Sequence, residues 1–99
     1  MSIPASERRD LVGPVLQAGA DGRSLLRALE ELNEGLCVED RGAYLRVLVP
    51  GRCVLTRAAV ERHSARAWRF PGDLECNMPA FKGFFSVTAD EACWSWERP

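Results

Sequence analysis

The sequence contains few of the residues on which enzyme chemistry usually depends. Its 99 residues include one histidine, one tyrosine and one lysine. No closely paired metal-ligand motif, glycine-rich phosphate loop or nucleophile motif is present. The histidine, His63, directly precedes Ser64, and adjacent side chains on a helix diverge instead of forming a nucleophile–base pair. This pattern favours a domain that acts by binding another protein.

Charge and hydropathy disfavour two classes of partner. Lys and Arg number 13 against 14 Asp and Glu, which gives a formal net charge of -1. Phosphate binding needs a basic face, so this balance argues against nucleic acid. No apolar run is long enough to cross a bilayer, and the N-terminal MSIPASERRD lacks the apolar segment of a signal peptide. We expect a cytoplasmic protein with no nucleic-acid or membrane partner.

The four cysteines form no C-x-x-C pair. They are Cys37, Cys53, Cys76 and Cys93. Structural zinc sites usually take their ligands in close pairs, so this spacing disfavours an all-cysteine zinc site. Disulfides are rare in a reducing cytoplasm. We therefore expect four small buried side chains in strands.

The domain organisation is simple. Residues 1–10 are polar and are expected to form a flexible N-terminal tail, and residues 11–99 are expected to form one domain. The domain opens on an apolar segment, Leu11–Gly19, that predicts a strand. Gly13 and Pro14 within it favour an edge strand or a bulge, because proline cannot donate a hydrogen bond to the ladder.

A helix is predicted next. Asp21 and Ser24 are both plausible N-caps, since their side chains can accept from the first free backbone amides. Asn33 and Gly35 supply the stop, because both tolerate the left-handed conformation that ends helices. The apolar positions on one face are Leu25, Leu26, Leu29 and Leu32.

A run of short strands follows the helix. A strand beginning at Cys37 leads into a charged turn at residues 39–42. Residues 43–49 alternate in polarity, which predicts a strand. Pro50-Gly51 predicts a turn, after which Arg52–Leu55 is expected to return as the hairpin partner. One face of the alternating strand carries Tyr44, Arg46 and Leu48.

The second half repeats this order of elements. Thr56 is expected to cap a short second helix, and a turn then leads to a strand at Leu74–Met78. That strand is expected to break at Asn77-Met78-Pro79 and to resume after Gly83, and Ala92–Trp96 closes the chain. The predicted class is α+β, with duplicated β-α-β-β motifs and two short helices packed on antiparallel sheets.

Three surface features each leave two readings open. The charged segment Glu39–Arg41 is either a solvated turn or a partner-facing cluster. Arginines around Trp68 form either a solvated patch or a docking face, since both residue types are enriched at interfaces. The segment Asn77–Gly83 is either a simple β-bulge or a loop shaped for a partner. The arginines around Trp68 are Arg62, Arg66 and Arg69.

The order of these segments resembles the small effector (regulatory, coupling) proteins of bacterial multicomponent diiron monooxygenases. The likeness is greatest to effectors of the toluene monooxygenase type, and weaker to those of phenol hydroxylase and methane monooxygenase. It covers about residues 12–96. The matching segments are VGPVLQAG from Val12, VEDRGAYLRV from Val38, CVLTRAAVE from Cys53 and LECNMPAFKG from Leu74.

This resemblance implies a non-enzymatic subunit without a prosthetic group. Members of the family bind a diiron hydroxylase, which holds the metal centre, and reshape its active site. This couples electron transfer and oxygen activation to substrate hydroxylation. They also share or contest the docking surface of the electron-donor ferredoxin or reductase.

The resemblance also implies an interface. Asn33 and Asn77 are similar in position to family asparagines, and Gly83 to the glycine that follows the second of them. The residues expected to face the hydroxylase are Asn33, Val38, Glu39, Asp40, Arg41, Asn77, Met78, Phe81, Lys82 and Gly83.

Two other functions are compatible with the residues. The first is a free-standing regulatory domain that binds a small ligand, which would need an enclosed apolar pocket with a few convergent polar groups. The second is a minimal enzyme that uses His63 with a nearby cysteine.

Overall fold

The computed structural model describes residues 10–98. The tail predicted at residues 1–10 therefore lies, except for its last residue, outside the described residues. The strands are β1 (Leu11–Gln17), β2 (Cys37–Asp40), β3 (Tyr44–Pro50), β4 (Arg52–Thr56), β5 (Ala80–Lys82), β6 (Phe84–Val87) and β7 (Glu91–Ser95). The helices are α1 (Ala20–Leu32), α2 (Arg57–Ser64) and α3 (Gly72–Cys76).

The strands form two antiparallel sheets. One has the order β2-β3-β1-β5 and the other the order β4-β7-β6. The predicted α+β class, with helices packed on antiparallel sheets, is confirmed. The prediction of two helices was incomplete, because α3 adds a third in the second half of the chain. No helix within residues 10–98 is long and apolar enough to span a membrane.

The prediction that β1 is an edge strand or contains a bulge was wrong. β1 lies between β3 and β5 and pairs with both. Gly13 and Pro14 pair with β5, while the ladder to β3 pauses at these two residues and resumes at Val15 without a change of register. A Cβ at Gly13 would lie 2.4 Å from the carbonyl oxygen of Val47, so only glycine allows this approach.

The predicted hairpin between residues 43–49 and Arg52–Leu55 was also wrong. The chain leaves the first sheet at Gly51, whose φ is +74°. β4 then pairs with β7 in the second sheet. The turn at Pro50-Gly51 is present, but it connects the two sheets instead of closing a hairpin.

The predicted strand at Leu74–Met78 is instead the helix α3. Leu74 and Met78 are four residues apart and both are buried, whereas Cys76 between them is exposed. The strand break also differs from the prediction, because β5 already begins at Ala80 and the interruption falls at Gly83. The chain passes there from the first sheet to the second.

The helix ends agree with the sequence in part. Thr56 caps α2 as predicted, since its side chain accepts from the amide of Ala59. Neither Asp21 nor Ser24 caps α1, whose N-cap is Gly19. The Ser24 hydroxyl instead donates to the carbonyl of Ala20 within the same helix, at 3.1 Å.

The core lies between the two sheets and the helices. Trp94 on β7 is its largest fully buried side chain. Its indole nitrogen has no hydrogen-bond partner among the described residues. The inward residues of β1 and β3 alternate along their strands as the sequence predicts. They are Val12, Leu16, Leu45, Val47 and Val49.

The cysteines are free thiols, and only part of their predicted setting is confirmed. Cys53 is buried in β4, and Cys37 and Cys93 are partly buried in strands. Cys76 lies exposed at the end of α3, so the prediction of a buried strand residue was wrong there.

Burial raises the pKa of the Cys53 thiol from 9.0 to about 12, and the nearby Cys93 adds to the effect. The unfolded chain therefore releases this proton at lower pH than the folded chain. The stabilisation is complete below about pH 9 and is lost as pH rises towards the folded pKa of about 12. We expect this one group to lower the free energy of unfolding by about 1.4 kcal/mol per pH unit in that window.

Urea unfolding of wild type and Cys53→Ala, compared from neutral to alkaline pH, measures this contribution. The variant is less stable at neutral pH because it leaves a cavity. Its stability should nonetheless fall less steeply above about pH 9. Parallel slopes in the two proteins would contradict the assignment.

Candidate partner-binding groove

The outer face of the four-stranded sheet carries an open depression of about 510 Å³, which we call the cationic groove. Small residues of β1 form its floor, and longer side chains of β3 and β5 stand on either side. β3 and β5 are two strand spacings apart, which sets a width of about 10 Å. Its lining residues are Gly13, Val15, Arg41, Tyr44, Arg46, Pro79, Ala80, Phe81 and Lys82.

The charged residues that line the cationic groove are all basic. Arg41 follows β2, Arg46 is on β3 and Lys82 is on β5. One carboxylate, that of Glu39, lies 3.3 Å from the guanidinium of Arg41 and 3.8 Å from that of Arg46. Lys82 forms no ion pair within the described residues. The groove therefore keeps a positive balance on a chain whose net charge is slightly negative.

The lining includes two exposed aromatic residues, of which Tyr44 lies on the same face as Arg46, whereas Phe81 alternates with Lys82 along β5. Tyr44 is 42% exposed and Phe81 is 47% exposed. The Phe81 ring packs against Phe85 with 5.2 Å between centroids, and Phe85 packs at the same distance against buried Trp94. Phe81 is thus fixed to the core on one side and open on the other. Exposed aromatic side chains held in this way are typical of binding surfaces.

The structure brings together part of the interface expected from the sequence. Arg41, Phe81 and Lys82 line the cationic groove, although their segments are about 40 residues apart along the chain. Glu39 does not line the groove but lies beside it on β2, where it is ion-paired with Arg41 and Arg46. Phe81 and Lys82 belong to β5, and not to the strand break in which the sequence pattern placed them.

Four expected interface residues do not line the cationic groove. Val38 is 37% exposed on β2 but does not line the groove. Asp40 accepts from the amide of Gly42 at 2.9 Å and so closes the turn after β2. Met78 is buried in the core, and Gly83 forms the bend between β5 and β6.

The two asparagines act inside the fold. The Asn33 amide donates to the carbonyls of Leu29 and Val54 and accepts from the amide of Val54, at 2.8 to 2.9 Å. Its backbone is extended, so the predicted left-handed stop at Asn33 was wrong, whereas Gly35 has φ +72°. The Asn77 side chain donates to the carbonyl of Asp73 at 2.9 Å.

Sequence reasoning missed Tyr44 and Arg46 as site residues. The alternation of residues 43–49 had already placed both on one face of a strand. The available signal was that the outward face of this strand carries two large side chains, those of Tyr44 and Arg46. What the sequence could not show was that the β5 segment lies two strands away on the same sheet.

The other candidate features have structural roles. Trp68 is buried, and the guanidinium of Arg66 lies 4.0 Å above its ring while also binding Asp21. The His63 Nε2 lies 3.3 Å from Glu31 of α1. The pKa of Glu31 is lowered first by its hydrogen bond to Arg62 and further by that to His63.

These contacts join α1 to α2, and within the described residues the His63 ring forms its hydrogen bond with Glu31. Within the same part of the chain, no cluster of three or more His, Cys, Asp and Glu side chains is placed to hold a metal ion.

Comparison with known proteins places the chain among its relatives. A family model described as the MmoB/DmpM family matches residues 10–95. The chain belongs to the MmoB/DmpM family. It is 33% identical over 90 residues to the effector subunit of the alkene monooxygenase system of Xanthobacter autotrophicus (strain ATCC BAA-1158 / Py2), a match covering 89% of this chain and 88% of that protein.

Solved structures agree with the MmoB/DmpM assignment. A chain of the phenol hydroxylase–regulatory protein complex matches with a TM-score of 0.79 and 25% identity, over 88% of this chain and 99% of that one. The regulatory protein B of soluble methane monooxygenase shares the fold, with a TM-score of 0.67 and 14% identity, over 98% of this chain and 70% of that one.

These relatives are named effector or regulatory components. The predicted family, and the prediction of an accessory component instead of an enzyme, are therefore confirmed. The predicted interface residues stay a prediction.

Gly83 offers a test of the bend that ends the groove wall. Its φ is +107°, and a Cβ there would lie 2.8 Å from the carbonyl oxygen of Ser95 and 2.8 Å from Cγ1 of Val12. Gly83→Ala should therefore lower the free energy of unfolding by roughly 2–4 kcal/mol in thermal or urea unfolding. Gly72→Ala is the matched control, because no atom lies within 4 Å of its Cβ position. Equal changes in the free energy of unfolding of the two variants would contradict the close packing around Gly83.

Asn33 offers a test of the link between α1 and β4. Asn33→Ala leaves the partly buried amide and carbonyl of Val54 without partners, which should cost about 2–3 kcal/mol of stability. Hydrogen exchange should show faster exchange of the Val54 amide in the variant. Glu34→Ala, at an exposed neighbour, should change neither quantity. Unchanged protection of Val54 in Asn33→Ala would show that the contact contributes nothing.

Proposed function

We propose that this protein is the effector subunit of a multicomponent monooxygenase and binds its hydroxylase component through the sheet face that carries the cationic groove. The observation that carries the proposal is the meeting of two distant segments, residues 41–46 and 79–82, in one exposed groove. Family membership supplies the class of partner. A relative named as an alkene monooxygenase effector and one from a hydroxylase complex support the same partner.

The surface suits a protein partner better than a small ligand. Its volume of about 510 Å³ lies within the range of small-molecule sites. Such sites, however, bury most of their ligand, whereas the lining residues Tyr44 and Phe81 are each more than 40% exposed. Exposed aromatics beside cations are typical of interfaces, where the partner completes the enclosure. The small-ligand alternative therefore fits less well.

The proposed action follows from differential binding. An effector can shift the hydroxylase towards an active conformation only by binding that conformation more tightly than the resting one. A tenfold preference corresponds to about 1.4 kcal/mol. The diiron centre belongs to the hydroxylase, and it supplies the oxygen chemistry there. The effector's contribution is the change in pocket shape that couples electron transfer and oxygen activation to substrate hydroxylation.

The face is built to hold its shape when a partner binds. β1 forms the floor between two paired neighbours, and Phe81 is packed against Phe85. Little conformational freedom is lost by such a surface on binding, so more of the interaction energy can act on the partner. We further propose that the electron-donor ferredoxin or reductase shares or contests the hydroxylase surface to which this face binds.

Reconstituted turnover tests the function. The hydroxylase and its reductase are assayed for oxygen-dependent product formation, and for product formed per electron consumed, while this protein is added. Both quantities should rise and saturate near one effector per active site. A hydroxylase that responds to no amount of the protein would overturn the proposal.

Tyr44 and Trp96 form a matched pair for locating the face. They are exposed to similar extents, 42% and 41%, but only Tyr44 lines the cationic groove. Tyr44→Ala should raise the effector concentration needed for half-maximal stimulation by about tenfold, as expected for an interfacial tyrosine. Trp96→Ala should leave it nearly unchanged. A larger effect of Trp96→Ala than of Tyr44→Ala would indicate that the interface lies on the second sheet instead.

A further inference from the structure

We propose that the cationic groove receives an acidic segment of the hydroxylase, whose Asp or Glu carboxylates bind Lys82 on one wall and Arg46 on the other. This inference rests on the proposed function and names the chemistry of the partner surface. It predicts that the contact is electrostatically selective, and that Lys82 touches a carboxylate directly.

The first support is the placement of the two cations. Val15 of β1 lies opposite Arg46 of β3 and, on its other side, opposite Ala80 of β5. Lys82 follows two residues later on β5, opposite Gly13. Their side chains point to the same face of the sheet, on either side of the β1 floor. The width of about 10 Å between β3 and β5 accepts one extended chain or one helix face.

The second support is an imbalance of charge inside the groove. Arg41 and Arg46 share the single carboxylate of Glu39, and the longer of the two contacts, to Arg46, is 3.8 Å. Lys82 has no ion pair within residues 10–98. Three cations therefore face one carboxylate, and a partner that supplies two carboxylates would restore neutrality. A basic or purely apolar partner would bury these cations unpaired, which is costly.

The third support is a contrast with the rest of the surface. Arg57 is paired with Glu61 and Asp90, as Arg41 and Arg46 are with Glu39. Arg23, Arg27 and Arg69 also form no ion pair within residues 10–98, but they lie outside the cationic groove, so Lys82 is the cation without an ion pair among the described residues that line it. Charges that are already neutralised attract a partner weakly, whereas an unpaired cation both steers the approach and selects an acidic surface. The charge complementarity thus points to Lys82 as the main recognition residue.

The chain offers an unusually specific chemical test, because Lys82 is its only lysine. A carbodiimide joins an amine directly to a carboxylate with no spacer, and arginine does not react. Treatment of the effector–hydroxylase complex should therefore give an amide between Lys82 and a hydroxylase Asp or Glu, found by mass spectrometry of the digested complex. Lys82→Arg keeps the charge and removes the amine, so this cross-link should disappear in the variant.

Charge reversal gives an independent measurement. Lys82→Glu should weaken binding to the hydroxylase by roughly tenfold or more at low ionic strength, and by less at high salt, since salt screens the contact. Arg27→Glu is the control, because it makes the same change in net charge on an exposed position of α1. Circular dichroism and thermal unfolding confirm that both variants are folded.

The outcomes separate the two proposals. A cross-link at Lys82, together with a larger loss for Lys82→Glu than for Arg27→Glu, supports the acidic segment. Normal binding and stimulation without a Lys82 cross-link, or with equal losses in the two variants, overturns the acidic segment and leaves the effector function standing. Absence of any binding by the wild-type protein overturns both.

Discussion

The pairing of β1 on both edges is the constraint on which the other features depend. β1 is hydrogen-bonded to β3 along one edge and to β5 along the other. Both edges are therefore occupied by neighbouring strands, and the side chains of β1 alternate between the core face and the outer face of the sheet. Val12 and Leu16 point inward and are fully buried. Gly13 and Val15 line the cationic groove, where their small size leaves room between longer neighbours. A single strand therefore fixes both the core and the groove floor.

The sequence predicted features that depend on local physics. The alternation of residues 43–49 and the cap at Thr56 are each determined within a few residues, and both are present. The pairing of β4 was not predictable in the same way, because alternation is identical whichever strand is the neighbour. In Leu74–Met78, apolar residues at both two- and four-residue spacing fit a strand or a helix, and tertiary burial selected α3.

The proposed binding surface was predictable only in part, for a related reason. Arg41, Phe81 and Lys82 were recovered from the family resemblance, and the fold then showed that they share one groove with Arg46. Asn33 carries the same kind of polar side chain, yet its amide is used by the backbone of Val54. Sequence alone does not reveal which polar groups are already satisfied within the fold, and only unsatisfied ones remain for a partner.

This distinction between satisfied and unsatisfied groups also explains how a domain without catalytic residues can regulate a reaction. A buried or paired side chain stabilises the effector alone and contributes equally whatever the hydroxylase conformation. A group on a rigid face that has no ion pair within residues 10–98, as Lys82 has none, gains its interaction only when the partner presents the complementary group. If that group is in position in one hydroxylase conformation and displaced in another, the contact contributes directly to the difference in affinity, and therefore to the shift between conformations. On this proposal, the effector's regulatory contribution comes from the charged groups that the fold leaves available to the partner.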